Sequence, residues 1–351
     1  MPWAYIATFT GVGSIQTLQG AAVSSPASDP PGQLLVVWSG GSPGGPLCSF
    51  TYDIPAYFVS PPAPVPVQPA QVGGLYSVNG PSALYVDSQF YVFYRGGGTQ
   101  DGDVCYTALQ NPAGGAIPGA QTQDAPVVAW LPGSNSTFVA FNGYKYGTTN
   151  DQELYSTILG ALNGSPPSTP VAGLGGAFNG YFSPGVAATP DGAVSIFWKG
   201  VAGDDQLYYA VNPGPGSGGF VNNVPVNFNG AVPTASGRPS LAAWVPSASD
   251  GGGDVLLAVY PSDGQLWYME AAYAAGNASW QTQAPVPVDT ILAKAGPSGG
   301  PVTFSNPVAV CATSPVFSDT VFVLIGDLAD GVVNDTLYLV RYTGPDSPLA
   351  G

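Results

Sequence analysis

Between Ser183 and Val211, short runs of alternating apolar and polar residues are separated by two turns, and the pattern predicts three strands. Ser183 to Thr189 forms the first run and Ala193 to Gly200 the second; after a short acidic loop, Gln206 to Val211 forms the third. Pro190-Asp191-Gly192 supplies the first turn, with Pro presetting φ and Gly accepting positive φ. Phe197, Trp198, Tyr208 and Tyr209 suit a pleated surface packed on one or both sides. Such a meander has two apolar faces and cannot cover both alone, whereas copies stacked around an axis can.

The copies are present. Pro81 opens one that continues through Phe90 to Gly96 and Asp101 to Tyr106. Pro126 opens another, with Phe138 to Gly143 and Asp151 to Tyr155; Pro239 opens a third, with Val255 to Tyr260 and Ser262 to Tyr268. Looser copies start at Pro26, with Leu34 to Gly40 and Leu47 to Phe50, and at Pro307, with Val321 to Gly326 and Leu337 to Val340. With Pro184 this gives six units whose anchors are roughly 45–70 residues apart, the range of a propeller blade with variable loops. The expected fold is all-β: one six-bladed β-propeller domain over residues 1–351, built from four-stranded antiparallel blades.

The sixth copy ends at Tyr342 with only nine residues following, too few for an outer strand. The N-terminal segment holds two strand-like runs, Trp3 to Phe9 and Ser14 to Leu18, and is expected to supply the missing strand and close the ring. Gly/Pro-rich connectors separate the units, and runs such as Phe220 to Val226 and Ser279 to Val286 read as outer strands. The one helix candidate is Asp289 to Ala295.

Composition sharpens this picture. The 49 Gly and 37 Pro raise the question of disorder, but 12% aromatic and 45% hydrophobic residues supply surface worth burying. Only 8% of residues are charged, six Lys or Arg against 21 Asp or Glu, for a net charge of -15. Such a chain repels nucleic acid and anionic membrane faces, and no apolar run is long enough for a spanning helix. The opening Met1-Pro2-Trp3-Ala4-Tyr5 has no basic segment and does not read as a signal peptide, which leaves the compartment open. The three cysteines, Cys48, Cys105 and Cys311, sit in strand-like positions and read as small buried hydrophobes.

The chain has no histidine, which excludes Ser-His-Asp and Cys-His nucleophiles and imidazole metal centres. Acid–base chemistry would fall to carboxylates or Tyr, and only two glutamates exist, Glu153 and Glu270. Asp-rich turns lack the spacing of a calcium loop, so neither a metal nor a cofactor is expected.

The informative position is the end of the second strand. An aromatic, one residue and Gly recur at Trp38-Ser39-Gly40, Tyr94-Arg95-Gly96, Phe141-Asn142-Gly143 and Trp198-Lys199-Gly200. Two of the six cations share the middle slot. One reading is structural: each cation pairs with an Asp of the next loop and ties the blade edge. The other is a shallow pocket in which a cation, a carboxylate and an aromatic face meet a polar ligand, a combination that suits sugars. The third-strand aromatics Tyr106, Tyr155, Tyr208, Tyr209, Trp267 and Tyr268 offer further faces, or else pack between blades.

Ser183-Pro184-x-x-Ala187, the strands Val92-Phe93-Tyr94-Arg95-Gly96 and Ile196-Phe197-Trp198-Lys199-Gly200, and Asp204-x-x-Leu207-Tyr208-Tyr209 resemble the blade repeat of fungal and bacterial β-propeller lectins that bind fucose or N-acetylglucosamine. The resemblance covers about residues 80 to 270. It implies several equivalent sugar sites between or beside blades, carried here by Tyr94, Arg95 and Asp101 in one copy and Trp198, Lys199, Asp204 and Gln206 in another. The other copies lack the cation. The expectation is a non-catalytic lectin with glycan partners. A glycoside hydrolase or lyase with a carboxylate pair in the central channel is the alternative, and an interaction scaffold is a third reading. A sialidase fits poorly, with three arginines and no Ser-x-Asp-x-Gly-x-Thr-Trp box.

Overall fold

A computed structural model describes residues 3–13, 15–24, 32–41, 44–54, 64–97, 102–110, 114–143, 152–162, 171–174, 179–180, 182–214, 219–244, 254–274, 277–292, 307–313, 320–329, 332–333 and 336–344. Six antiparallel four-stranded blades form a propeller. Blade 4 follows the expected pattern: Gly185–Ala188 is innermost, then Val194–Lys199, Leu207–Asn212 and Val221–Pro225 outermost. Its first turn closes with Gly192 at φ +87° and its N–H donating to the Thr189 carbonyl at 2.9 Å. Blade 2 comprises Ser82–Val86, Gln89–Arg95, Asp103–Ala108 and Gly114–Gln121. Blade 3 has Val127–Leu131, Ser136–Asn142, Leu154–Leu159 and Ala172–Gly173. Blade 5 has Ser240–Trp244, Asp254–Ser262, Gln265–Ala274 and Asn277–Pro285, followed by the short helix Val288–Leu292.

The two end blades show how the ring closes. Blade 6 takes Pro307–Thr313, Val321–Ala329 and Thr336–Tyr342 from the end of the chain and Trp3–Thr10 from its beginning. The N-terminal strand pairs antiparallel with Thr336–Tyr342 from Trp3↔Tyr342 to Thr10↔Thr336, as the sequence led us to expect. Blade 1 differs from the expected layout. Its innermost strand is Ile15–Val23, upstream of Pro26, and is followed by Gln33–Gly40, Gly45–Asp53 and Ala70–Ser77. Pro26 itself lies outside the described residues. What an inner strand needs is small residues at a crowded axis: a Cβ on Gly20 would stand 2.9 Å from the Pro81 carbonyl oxygen of blade 2. Val333 pairs with both Leu328 and Ile15, so the hydrogen-bonded ladder runs from blade 6 into blade 1.

Among the described residues the core falls into six clusters, and each joins two neighbouring blades. Alternation along the second strands produces this division, because successive side chains point to opposite faces and both faces are covered. In blade 4, Val194, Ile196 and Trp198 pack on blade 3, while Phe197 packs on blade 5. In blade 2, Phe90, Val92 and Tyr94 pack on blade 1, while Tyr91 and Phe93 pack on blade 3. At the closure, Phe9 is fully buried with its ring centroid 4.9 Å from Phe50 of blade 1. Cys48 and Cys105 hold equivalent positions, opposite Trp38 and Tyr94, and all three cysteines are free thiols.

Phe9→Ala should therefore cost about 3–5 kcal/mol in urea unfolding, against less than about 0.5 kcal/mol for the exposed Gln71→Ala. Equal losses for the two variants would mean that the closing strand is not part of the cooperative unit. Burial also pushes the Cys105 thiol up to about 11 and the Tyr94 and Tyr260 phenols up to about 12. Groups kept protonated by the fold contribute stability that is fully present below their unfolded values and is lost as pH rises toward the folded ones. The urea midpoint is expected to fall between about pH 9 and pH 11; a flat midpoint across that window would contradict the burial of these groups.

Candidate functional site

The end of the second strand places its aromatics in the core. Trp38, Tyr94, Phe141 and Trp198 are 1%, 5%, 1% and 1% exposed, and each packs against the preceding blade. Their ring faces are covered, so neither Tyr94 nor Trp198 offers one to a ligand. The polar residue that follows is an anchor in three of the four copies, donating to the connector that leads toward the next blade. Ser39 Oγ donates to the Ser77 carbonyl at 3.1 Å, Arg95 Nη1 to the Gln123 carbonyl at 2.7 Å and Asn142 Nδ2 to the Gly180 carbonyl at 2.6 Å. Lys199 turns to its own loop instead: Nζ lies 2.7 Å from Asp205 Oδ1 and donates to the Asp204 carbonyl at 3.3 Å. The pairing of a cation with an Asp of the next loop is thus realised at Lys199. Asp101 lies outside the described residues.

Solvent-facing chemistry begins at the next strand. Glu153-Leu154-Tyr155, Gln206-Leu207-Tyr208 and Gln265-Leu266-Trp267 open the third strands of blades 3, 4 and 5, with the Leu buried and the aromatic half-buried. These aromatics lie opposite Phe141, Trp198 and Tyr260 and edge the seam with the preceding blade. Tyr155 stacks on Phe141 at 6.1 Å and 14°, and Tyr208 on Trp198 at 5.7 Å and 20°. Tyr208 donates to Asp204 Oδ2 at 2.8 Å and lies 3.4 Å from Gln206 Oε1; Tyr155 donates to Glu153 Oε2 at 3.2 Å. Burial first, then the Asp204 carboxylate, raises the Tyr208 phenol above its ordinary value. Gln206 is exposed and Asp204 half-buried, so this seam presents a ring edge with amide and carboxylate oxygens beside it.

All of these groups lie on the face where the innermost strands begin, here called the upper face. At the upper mouth of the axial channel, sequence reasoning missed a clamp. Asp124 accepts the Ala125 N–H at 2.9 Å and the Ser183 N–H at 3.0 Å, and is ion-paired with Arg238. The Arg238 guanidinium stands 5.7 Å from the Phe182 ring centroid. These residues come from the segments that open blades 3, 4 and 5, so the clamp ties three blades together. A signal was available: each stands one or two residues ahead of a blade-opening Pro, in Asp124-Ala125-Pro126, Phe182-Ser183-Pro184 and Arg238-Pro239.

The carboxylates do not converge among the described residues. Asp87 lines the lower end of the channel and Asp124 lies at the upper one, separated by about 17 Å for a five-residue strand at about 3.3 Å per residue. Glu153 sits on a seam. Glu270 is buried beside Tyr342, whose phenol is raised first by burial and then by the Glu270 carboxylate.

No protein-family model matches the sequence, and no curated protein matches it either. Solved structures do match in fold. An α-L-arabinanase of Penicillium chrysogenum complexed with arabinobiose is 14% identical over 97% of this chain and 98% of its own, with a TM-score of 0.59. An α-L-arabinofuranosidase of Fusarium graminearum in complex with an iminosugar inhibitor is 12% identical over 97% and 98%, at 0.59. A variant of the Aleuria aurantia lectin in complex with α-methyl-L-fucoside is 12% identical over 96% and 99%, at 0.53. The likeness establishes a shared six-bladed propeller, a shape common to lectins and to arabinan-cleaving enzymes. Among the described residues, no helix is long and apolar enough to cross a membrane.

The clamp has a measurable signature. In a double-mutant cycle of Asp124→Asn and Arg238→Met, the coupling in urea unfolding should be about 1–3 kcal/mol. Additive losses would mean that the pair does not hold the blades.

Proposed function

We propose that the protein is a lectin: a non-catalytic carbohydrate-binding protein with shallow sites repeated along the upper rim. The observation that carries this reading is the recurrence, at three successive seams, of a half-buried aromatic with a Glu or Gln two residues before it. A sugar ring offers C–H faces to such an aromatic and hydroxyls to the oxygens beside it. In blade 4 the site consists of Tyr208, Asp204 and Gln206, with Lys199 holding the loop and Trp198 backing the tyrosine. In blade 2 Arg95 holds the connector at Gln123 and Tyr94 packs behind the strand; Asp101 lies outside the described residues.

Three weak sites on one rim gain avidity on a surface that presents many copies of a glycan. The net charge of -15 favours neutral glycans over sulfated or sialylated ones. The arabinan-cleaving neighbours keep a hydrolase reading in play at the level of fold. A glycosidase, however, needs two carboxylates within about 10 Å across the scissile bond, and the described channel residues do not provide them.

A glycan array probed with the wild type and with the triple variant Tyr155→Ala, Tyr208→Ala, Trp267→Ala tests the proposal. Retention on the best-bound neutral glycan should drop more than tenfold in the triple variant and only a few-fold in Gln206→Ala. Unchanged retention, or catalytic release of reducing sugar from arabinan, would overturn it.

A further inference from the structure

We infer that the lower mouth of the axial channel is a second binding site, separate from the rim, that takes the neutral end of a saccharide. A cavity of about 570 Å³ runs along the axis. It stays open because each of the six inner strands contributes an alanine to its wall: Ala21, Ala83, Ala129, Ala187, Ala242 and Ala312. The volume lies within the range of small-molecule sites, about 300–1,000 Å³.

The wall is also polar, because the inner strands of blades 2 to 6 are each hydrogen-bonded in the sheet on one side only. The other edge of each strand turns N–H and C=O groups toward the axis, where they need a partner. One such group is already served by the protein, the Cys311 N–H donating to Ser240 Oγ at 3.0 Å. A channel with small apolar side chains and backbone donors and acceptors suits a ligand that alternates C–H and O–H groups. It does not suit a purely apolar one.

The two ends of the channel differ. The upper end is walled by Leu, Val, Phe and Pro side chains and carries the Asp124–Arg238 pair. The lower end carries Trp130 and Tyr85, both half-buried, with the Tyr85 ring 4.9 Å from Phe90. Asp87 and Ser88 stand beside them, exposed, as the two residues that turn Val86 back to Gln89. They have φ values of +50° and +61°. A two-residue turn with both residues in the left-handed region is the usual place for Asn-Gly or Asp-Gly, so Asp87 suits its position while Ser88 stands where Gly is preferred, at a cost of roughly 1 kcal/mol. The pair puts a carboxylate and a hydroxyl at the mouth of the channel, the hydroxyl in spite of the backbone. A carboxylate that accepts from two vicinal hydroxyls, with a tryptophan facing the C–H groups, recognises a pyranose or furanose ring. Asp87 and the acidic chain exclude an anionic ligand.

The turn itself supplies the test, because Asp87→Asn with Ser88→Gly installs the residues the backbone prefers while removing both polar groups. The full chain carrying the rim triple variant is titrated with a panel of neutral monosaccharides: hexoses, deoxyhexoses, pentoses and N-acetylhexosamines. The indole N–H resonance of Trp130, assigned by Trp130→Phe, is followed by NMR. At least one sugar should shift that resonance with the rim sites absent. Adding the turn substitutions should weaken this binding at least tenfold while leaving the melting temperature equal or higher. No sugar shifting the resonance in the rim variant, or equal affinity after the turn substitutions, would overturn the inference. Loss of the rim reading would appear instead in the glycan-array avidity, which the turn substitutions should leave unchanged.

Discussion

Every blade of this protein has two apolar faces, and neither can be left in water. Residues such as Val194, Ile196 and Trp198 on one side and Phe197 on the other leave blade 4 without a solvent side over most of its second strand. Stacking blades satisfies the inner members of an array but leaves two bare faces at its ends, and only a ring removes them. The N-terminal strand makes the ring possible by completing blade 6, and Phe9 carries the closure into the seam with blade 1. Every surface that could meet a ligand is a by-product of this arrangement: seams that end in half-buried rings, and an axial channel to which each inner strand contributes an alanine.

The polar groups show how little of the surface is left over for function. In a chain with six cations, Lys199 is committed to its own loop and Arg238 to Asp124, and Arg95 anchors a connector. These contacts hold the Gly- and Pro-rich connectors in place at points where the side chains have already left the core. The rim is left with aromatic edges and uncharged or acidic oxygens, groups that suit a neutral, hydroxyl-rich partner more than a charged one.

Much of the architecture was legible because strand alternation is local. The copies in blades 2 to 5, the outer strands near Val221 and Asn277 and the closing N-terminal strand all follow from residue order. Blade 1 misled because Pro26 looked like the anchors of the other copies, while its real inner strand, Ile15–Val23, carries no such Pro. At the candidate site, the pairing of a cation with an Asp of the next loop holds for Lys199 but is replaced at Arg95 by a bond to the connector. Arg95 and Lys199 share a slot, yet Arg95 reaches Gln123 on the connector and Lys199 reaches Asp205 in its own loop. The Asp124–Arg238 pair spans 114 residues; the blade-opening Pro beside each marks the two positions, but only the assembled ring shows that they meet.

Residue order alone indicated that the chain is all-β, that it repeats six times, and that two of its cations, Arg95 and Lys199, share the slot at the end of a second strand. Which face of each strand is covered was decided only by the assembled ring. Alternation shows that Trp198 and Phe197 point opposite ways, but in a propeller both ways lead into a neighbouring blade. The rings still within reach of a ligand are therefore those at the seam edges and around the axis, surfaces that exist only once six blades stand side by side.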